Sequence, residues 1–412
     1  MNAPAPAPDI AASIRWLRST EAVRQRCGRL YEAAGRGALG HFRLHLDRMD
    51  WTAAYVAAVI RESYPRYDIP YHSRWRHFDV GGVDRWGALS RAIDPGDLPR
   101  AAADLAGVSV LLDAGAGPGW GYAEAGSSAR LGRSEGLAVA SLAMFHDGLF
   151  SSDPKRPFRV DAEGLQALTD ATLSRGFQVN AANPLVGLPA RVELLRRLGA
   201  AMRDRPDVFG REGRFGNLIA YLTRDGVRPV VAARELLQVL LETLGPIWPN
   251  GLMFHGANLG DVARHRLARA DDATDGLVPF HKLSQWLAYS LLEPLEWAGA
   301  TVTGLDDLTG LPEYRNGGLF IDAGVLAPVD PPPKDAPADP RSELVVEWRA
   351  LTVVLLDEIA LRIRRILGLD AAQLPLAKVL QGGTWMAGRK IAREKRADGG
   401  PPLAVATDGT TF

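Results

Sequence analysis

The chain has 412 residues, 47% of them hydrophobic, and carries 48 Lys+Arg against 48 Asp+Glu. Zero net charge lacks the basic field that non-specific nucleic-acid binding needs, and no run of about 18 apolar residues offers a membrane span. A single cysteine, Cys27, can form neither an intrachain disulfide nor a cysteine metal cluster, which fits a cytoplasmic protein of roughly two to three domains or one large one.

Residues 1–9 begin with alternating Ala and Pro, without a basic start or an apolar h-region. They are expected to be a disordered leader and not a secretory signal. Ile10, Ile14, Leu17 and Val23 predict a first helix. Asp50 to Ile60 predicts another, with Asp50 as N-cap, ended by the prolines of Tyr64–Pro70. The run His72-Ser73-Arg74-Trp75-Arg76-His77-Phe78 follows. If extended, it turns His72, Arg74, Arg76 and Phe78 to one side, as a pocket wall or an anion-binding lip. The plainer alternatives are a basic surface stretch pinned by aromatics, or core packing of the rings. Residues 98–107 predict a short helix running into a buried strand or apolar extended segment, Val108 to Leu112.

Asp113-Ala114-Gly115-Ala116-Gly117-Pro118-Gly119 comes next, with Trp120 and Tyr122. Alone it resembles the glycine-rich first motif of S-adenosylmethionine methyltransferases. No βαβ rhythm follows, so a tight loop carrying Asp113, Trp120 and Tyr122 to one place is the simpler expectation. Ser134 is the expected N-cap of a helix through Phe145. Gly132-Arg133-Ser134-Glu135-Gly136 matches Gly-x-Ser-x-Gly as a string, but lacks the apolar strand that a nucleophile elbow needs. Beyond it helices dominate: 163–174 behind Asp161 as N-cap, 189–204, 231–242, 259–268, 279–293 and 341–367. Phe254 to Val262 reads as a loop entering a helix, with His255 either touching substrate or satisfied by backbone. Residues 328–340 read as an exposed Pro/Asp-rich linker. The expected fold is mainly α, a multi-helix globular unit over 10–412 with few short strands. It divides into an N-terminal helical subdomain 10–105 and a part 106–412.

Chemistry concentrates in Phe280 to Asp322. Lys282 and Gln285, beside His281, are spaced to share a helix face. Glu313-Tyr314-Arg315-Asn316 lies between Pro312 and Gly317-Gly318, a loop stiff at one end and permissive at the other. No His-Glu-x-x-His spacing suggests zinc, and no Walker loop suggests phosphoryl transfer. No metal or cofactor is expected. Carboxylate chemistry with a cationic helper remains. Glu313 is the first candidate, with Asp113, Glu135 and Asp322 behind it. Cleaving an N-glycosidic bond passes through an oxocarbenium-like state that a carboxylate stabilises or attacks. Lys282 could hold a 5′-phosphate as a point charge, and Arg315 could clamp it or orient Glu313. The bland alternative for Lys282 and Glu313 is a structural ion pair near a helix end.

His72 to Phe78, Asp113 to Pro118, Gly132 to Ser141, Gly148-Leu149-Phe150-Ser151-Ser152-Asp153 and Gly382-Gly383-Thr384-Trp385-Met386-Ala387-Gly388-Arg389 resemble the uracil-catabolism protein four family of fungi and bacteria. The likeness runs from about residue 10 to the terminal Asp-Gly-Thr-Thr-Phe. It implies a route in which uracil becomes its nucleotide, the ring is opened and urea is released, so that some enzyme must cut urea from ribose. A more distant likeness covers roughly forty residues. Phe280-x-Lys282-x-x-Gln285 and Leu308-Thr309-Gly310-Leu311-Pro312-Glu313-Tyr314-Arg315 are similar to two segments of the queuosine-5′-phosphate N-glycosylase family. That family implies a fold resembling helix-hairpin-helix glycosylases, a lysine facing the 5′-phosphate at Lys282, and a carboxylate acting at the anomeric carbon at Glu313. It carries Asp where this chain has Glu313, and tends to carry Asp where this chain has Ser290.

The two likenesses imply a metal-independent N-ribosidase. It would hydrolyse a ribosyl-urea 5′-phosphate, or a related ring-opened pyrimidine nucleotide, to urea and ribose 5-phosphate. Lys282, Arg315, His281, Gln285 and Tyr314 would bind the sugar phosphate, Trp120 or Trp75 would wall the urea end, and Tyr122, His72, Arg74, His255 and Asp322 are further candidate contacts. The alternatives are an S-adenosylmethionine-dependent methyltransferase and a non-catalytic scaffold of the pathway. The expected partner is a small phosphorylated ribosyl substrate, with a homo-oligomer left open.

Overall fold

The computed structural model describes residues 9–127, 129–333, 336–407 and 409–410. The leader's first eight residues, Lys334 and Asp335 of the linker, and most of the terminal motif lie outside them. The fold is mainly α, with short strands in two-stranded sheets. Among the described residues no helix is long and apolar enough to cross a membrane. The chain forms two units whose segments alternate: residues 1–69, 251–282 and 308–405, and residues 70–250, 283–307 and 406–412.

In the first unit the predicted opening helix is two. Asp9 caps Ile10–Leu17 through Ala12 N, and Ser19 caps Thr20–Gly35 through Ala22 N. An internal serine able to take an orphan amide makes a second start cheaper than continuity. Asp50 lies one residue inside Met49–Ser63 and pairs with Arg362 at 3.3 Å, so it is not the cap. The 25-residue helix Glu343–Leu367 starts at Ser342 and ends at Gly368 in the left-handed region. It buries Val346, Ala350 and Val353 against Val23, Cys27 and Leu30 of Thr20–Gly35, together with Val278 and Phe280. The predicted helix 259–268 is absent. Met253–Phe254 and Ala257–Asn258 form a hairpin, and Val262–Arg264 pairs antiparallel with Leu277–Pro279. Within the expected helix Gly260 takes a φ of 67°, which a helix cannot contain, while His255 and Gly256, both at positive φ, make the hairpin turn before it. Tyr314–Asp322 lies against Trp385–Lys395, and a Cβ on Gly388 would sit 2.3 Å from the Arg315 carbonyl oxygen. Only glycine permits that approach.

In the second unit, Leu98–Leu111 is one helix, buried along nearly its whole length. Val108 to Leu111 was expected to be a strand or extended. Burial on all sides made an apolar run that periodicity alone does not assign. The expected helix 163–174 is split by Thr169, which forms a capping box with Thr172. Leu236, Leu237, Leu240, Leu241 and Leu244 are all buried along Ala233–Leu244. Val230–Ala232 pairs parallel with Thr301–Thr303. The Lys282–Trp297 helix contains Pro294, which has no N–H for the Ser290 carbonyl. Trp75 Nε1 donates to that carbonyl at 2.9 Å instead.

Candidate active site

Glu313 is the N-cap of Tyr314–Asp322. Its Oε2 accepts Arg315 N at 2.7 Å and its Oε1 accepts Asn316 N at 2.6 Å. Two of the four orphan amides of the helix are thereby satisfied, and the carboxylate is held in one orientation. The group is part-buried. Burial pushes its carboxyl above the usual range, against the two amides and the charges of Lys282 and Arg315. Gly317, one turn in, faces Glu343–Leu367. A Cβ there would lie 2.7 Å from Trp348 Nε1 and 2.9 Å from Thr352 Oγ1. Trp348 Nε1 and Asn316 Oδ1 are both buried without a hydrogen-bond partner.

Lys282 opens its helix, and the turn before it is built by Asp261. Asp261 O accepts Phe280 N at 3.0 Å and His281 N at 3.2 Å, and Oδ2 accepts Lys282 N at 2.9 Å. Arg349 grips the same carboxylate through both nitrogens at 2.8 and 2.7 Å and stacks over Phe280, 4.0 Å from its centroid. His281 takes a φ of 52° and places Nε2 2.8 Å from Leu17 O. Burial lowers its pKa.

The other candidates of this unit are dispersed in role. Arg315 donates from Nη1 to Gly399 O at 2.8 Å and lies over the Tyr314 ring, which is exposed. Asp322 holds Arg396 in a bidentate pair of 2.7 and 2.5 Å, a packing role. His255 is exposed at the hairpin tip against Phe254.

In the second unit His72, Arg74, Asp113 and Glu135 come together. The run His72–Phe78 is not extended: Trp75–Phe78 is a one-turn helix. Ser134 is not a cap, because Arg133–His146 starts one residue earlier. Its Oγ donates to Asp113 Oδ2 at 2.5 Å and lies 3.1 Å from His77 Nδ1. Gln285 is fully buried. Trp120 donates from Nε1 to Phe177 O at 2.9 Å and meets that ring edge-on. Tyr122 lies in a two-residue antiparallel strand, its phenol raised by burial. Trp75 packs on Trp86 and Trp297. With helix before it and an antiparallel hairpin after it, Asp113–Gly119 lacks the strand that a methyltransferase glycine loop follows.

Asp261, Arg349, Trp348 and Asn316 were not singled out by the sequence. One signal was present: Arg349 stands among Val345, Val346, Ala350 and Val353, and a charge inside an apolar face marks a buried partner. Asp261 gave no comparable sign.

A family model described as "Protein of unknown function (DUF1688)" matches residues 16–412. "Uracil catabolism protein 4" of Lachancea kluyveri is 38% identical over 437 residues, covering 97% of this chain and 99% of that protein. "Protein urg3" of Schizosaccharomyces pombe is 40% identical over 408 residues, covering 96% and 98%. Matched from end to end, as the motif likeness to the uracil-catabolism protein four family implied, the chain belongs to the DUF1688 family.

Proposed function

We propose that the chain acts in uracil degradation, the process named for its Lachancea kluyveri relative, as an N-ribosidase. The reaction is ribosyl-urea 5′-phosphate plus water to ribose 5-phosphate plus urea. The C1′–N bond breaks with its electron pair going to nitrogen, water adds to C1′, and the water's proton ends on the urea. Glu313 faces the positive charge that develops at C1′ and O4′. Lys282 pairs with the 5′-phosphate as a point charge. The observation that supports this best is Glu313 itself: a part-buried carboxylate, fixed by two amides and sensing the Lys282 charge. A preorganised charge of this kind needs no reorganisation during reaction.

Full-length protein incubated with ribosyl-urea 5′-phosphate is expected to release urea and ribose 5-phosphate in equal amounts. Failure to release urea from this substrate or from ring-opened pyrimidine nucleotides would overturn the assignment.

A further inference from the structure

Two residues beside Glu313 carry polar atoms that the proposed chemistry leaves unused. Asn316 is fully buried and Trp348 is 3% exposed. Among the described residues, Asn316 Oδ1 and Trp348 Nε1 have no hydrogen-bond partner. Buried polar groups are rarely left so.

The backbone fixes which end of the Asn316 carboxamide is left over. The Leu311 carbonyl accepts Glu313 N at 2.9 Å and Asn316 Nδ2 at 3.2 Å. A carbonyl oxygen is met by the NH2 end of an amide and not by its oxygen. Asn316 N meanwhile donates to Glu313 Oε1 at 2.6 Å. The residue therefore grips the glutamate turn twice, from backbone and from side chain. That grip uses its N–H groups and gives Oδ1 no work. Trp348 brings the opposite polarity to the next residue. A Cβ on Gly317 would lie 2.7 Å from Trp348 Nε1, so the indole N–H meets the backbone directly after Asn316.

The two atoms do not bond each other, although one donates and the other accepts. This narrows the group that suits both. A carboxylate or a fully ionised phosphate serves Nε1 but has no proton for Oδ1. An ammonium group serves Oδ1 but has no lone pair for Nε1. A hydroxyl accepts from the one and donates to the other. When Glu313 meets C1′ of a sugar, the nearest hydroxyl is the one on C2′, and it falls to the residue hydrogen-bonded to Glu313.

We propose that Asn316 and Trp348 bind the 2-hydroxyl of the sugar, and so select ribosyl over 2-deoxyribosyl ligands. The placement of the sugar rests on the ribosidase reading, but the test is one of binding and needs no turnover. Calorimetry on the full chain with ribose 5-phosphate and 2-deoxyribose 5-phosphate reads the preference as a ratio of two affinities. That ratio does not depend on the fraction of protein that is folded. The parent is expected to bind ribose 5-phosphate roughly 10- to 100-fold more tightly, the range of one or two hydrogen bonds to buried partners. Trp348→Phe keeps an aromatic ring and removes the donor. Asn316→Leu keeps the backbone amide that Glu313 holds and removes the acceptor. Each is expected to cut the ratio by roughly 3- to 10-fold through weaker binding of ribose 5-phosphate. Trp51→Phe, at an exposed position of the same unit, is expected to leave it unaltered. Equal affinities in the parent would overturn the proposal and leave both atoms to solvent. A preference that both variants retain would overturn it by placing the 2-hydroxyl elsewhere, and no binding of either sugar phosphate would overturn it outright. A chain that prefers ribose 5-phosphate through these residues yet releases no urea would uphold it and overturn the ribosidase reading alone.

Discussion

Glu313→Gln keeps the outline of the side chain and removes its charge. Both carboxylate oxygens accept backbone N–H groups, at 2.7 and 2.6 Å. A carboxamide has one acceptor oxygen, so one amide would face an NH2 group. Losing that half of the cap costs about 1 kcal/mol. Part of this is offset, because burial opposes the charge that the substitution deletes. The variant is therefore expected to fold, within about 1 kcal/mol of the parent. Its rate is another matter. A full charge about 3.5 Å from the anomeric centre, at an effective dielectric constant of about 20, is worth roughly 5 kcal/mol. The centre carries less than a full charge in the transition state, so a kcat loss of about 10²- to 10³-fold is expected. Urea release at saturating substrate, beside a thermal melt, measures both. A folded Glu313→Gln protein that turns over within tenfold of the parent would refute the role given to this residue.

Lys282→Met is expected to raise KM for the phosphorylated substrate by roughly 10- to 100-fold, the range of a charged hydrogen bond; an equal loss with dephosphorylated ribosyl-urea would remove Lys282 from the phosphate site. Burial holds Glu313 above the ordinary value of about 4.3, and the reaction needs it ionised, so kcat/KM falls as pH drops through that raised value. Lys282→Met deletes a charge that lowers it, and should move the acid limb to higher pH; an unmoved limb contradicts the coupling. Burial pushes Glu293 to about 7, against Arg76 at 3.0 Å and Ser73 at 2.7 Å. The folded state then keeps a proton that the unfolded chain releases near pH ~4.3. That stabilisation is full below the unfolded value and is lost as pH rises through about 7. The parent's melting temperature should therefore fall relative to Glu293→Gln between about pH 5 and 8, and parallel pH curves would refute this. Gly317→Ala would put a methyl 2.7 Å from Trp348 Nε1, at an expected cost of about 1–3 kcal/mol; an unchanged denaturation midpoint would deny the close approach.

Helix content was legible because long amphipathic runs report their own periodicity, as Ala233–Leu244 does with five buried leucines. Errors fell where a local device outweighed periodicity. Ser19 and Thr169 each restart a helix by capping, and Gly260 at positive φ breaks the helix predicted over 259–268. Val108 to Leu111 misled for the opposite reason: buried all round, it carries no period to read. Among the proposed site residues, Glu313 and Lys282 were visible as polar groups at suggestive spacing. The partners of Arg74 were only half visible, since Ser109 and Trp286 are distant in sequence and meet it through packing. Ser134 was seen but misassigned, because a serine at a helix start looks the same whether it caps the helix or turns to Asp113.

Glu313 and Lys282 lie 31 positions apart, and neither segment fixes its own place. Lys282 begins a helix only because Asp261 accepts three successive amides, from Phe280, His281 and Lys282. Asp261 is in turn fixed by Arg349 of the Glu343–Leu367 helix. Its neighbour Trp348 sets the indole nitrogen against Gly317, one turn beyond Glu313. Successive helix residues point about 100° apart, so one side of this helix addresses the lysine segment and the adjacent side addresses the glutamate segment. The spacing of cation and carboxylate is thus set by a rigid element that contributes neither group. A helix paired to Thr20–Gly35 through a continuous apolar core holds such a spacing better than a loop would. This also accounts for a charged residue inside that apolar face. Without Arg349, Asp261 would be a part-buried carboxylate that keeps the amide of Lys282 but loses its ion pair, and the turn that presents Lys282 would be weakened.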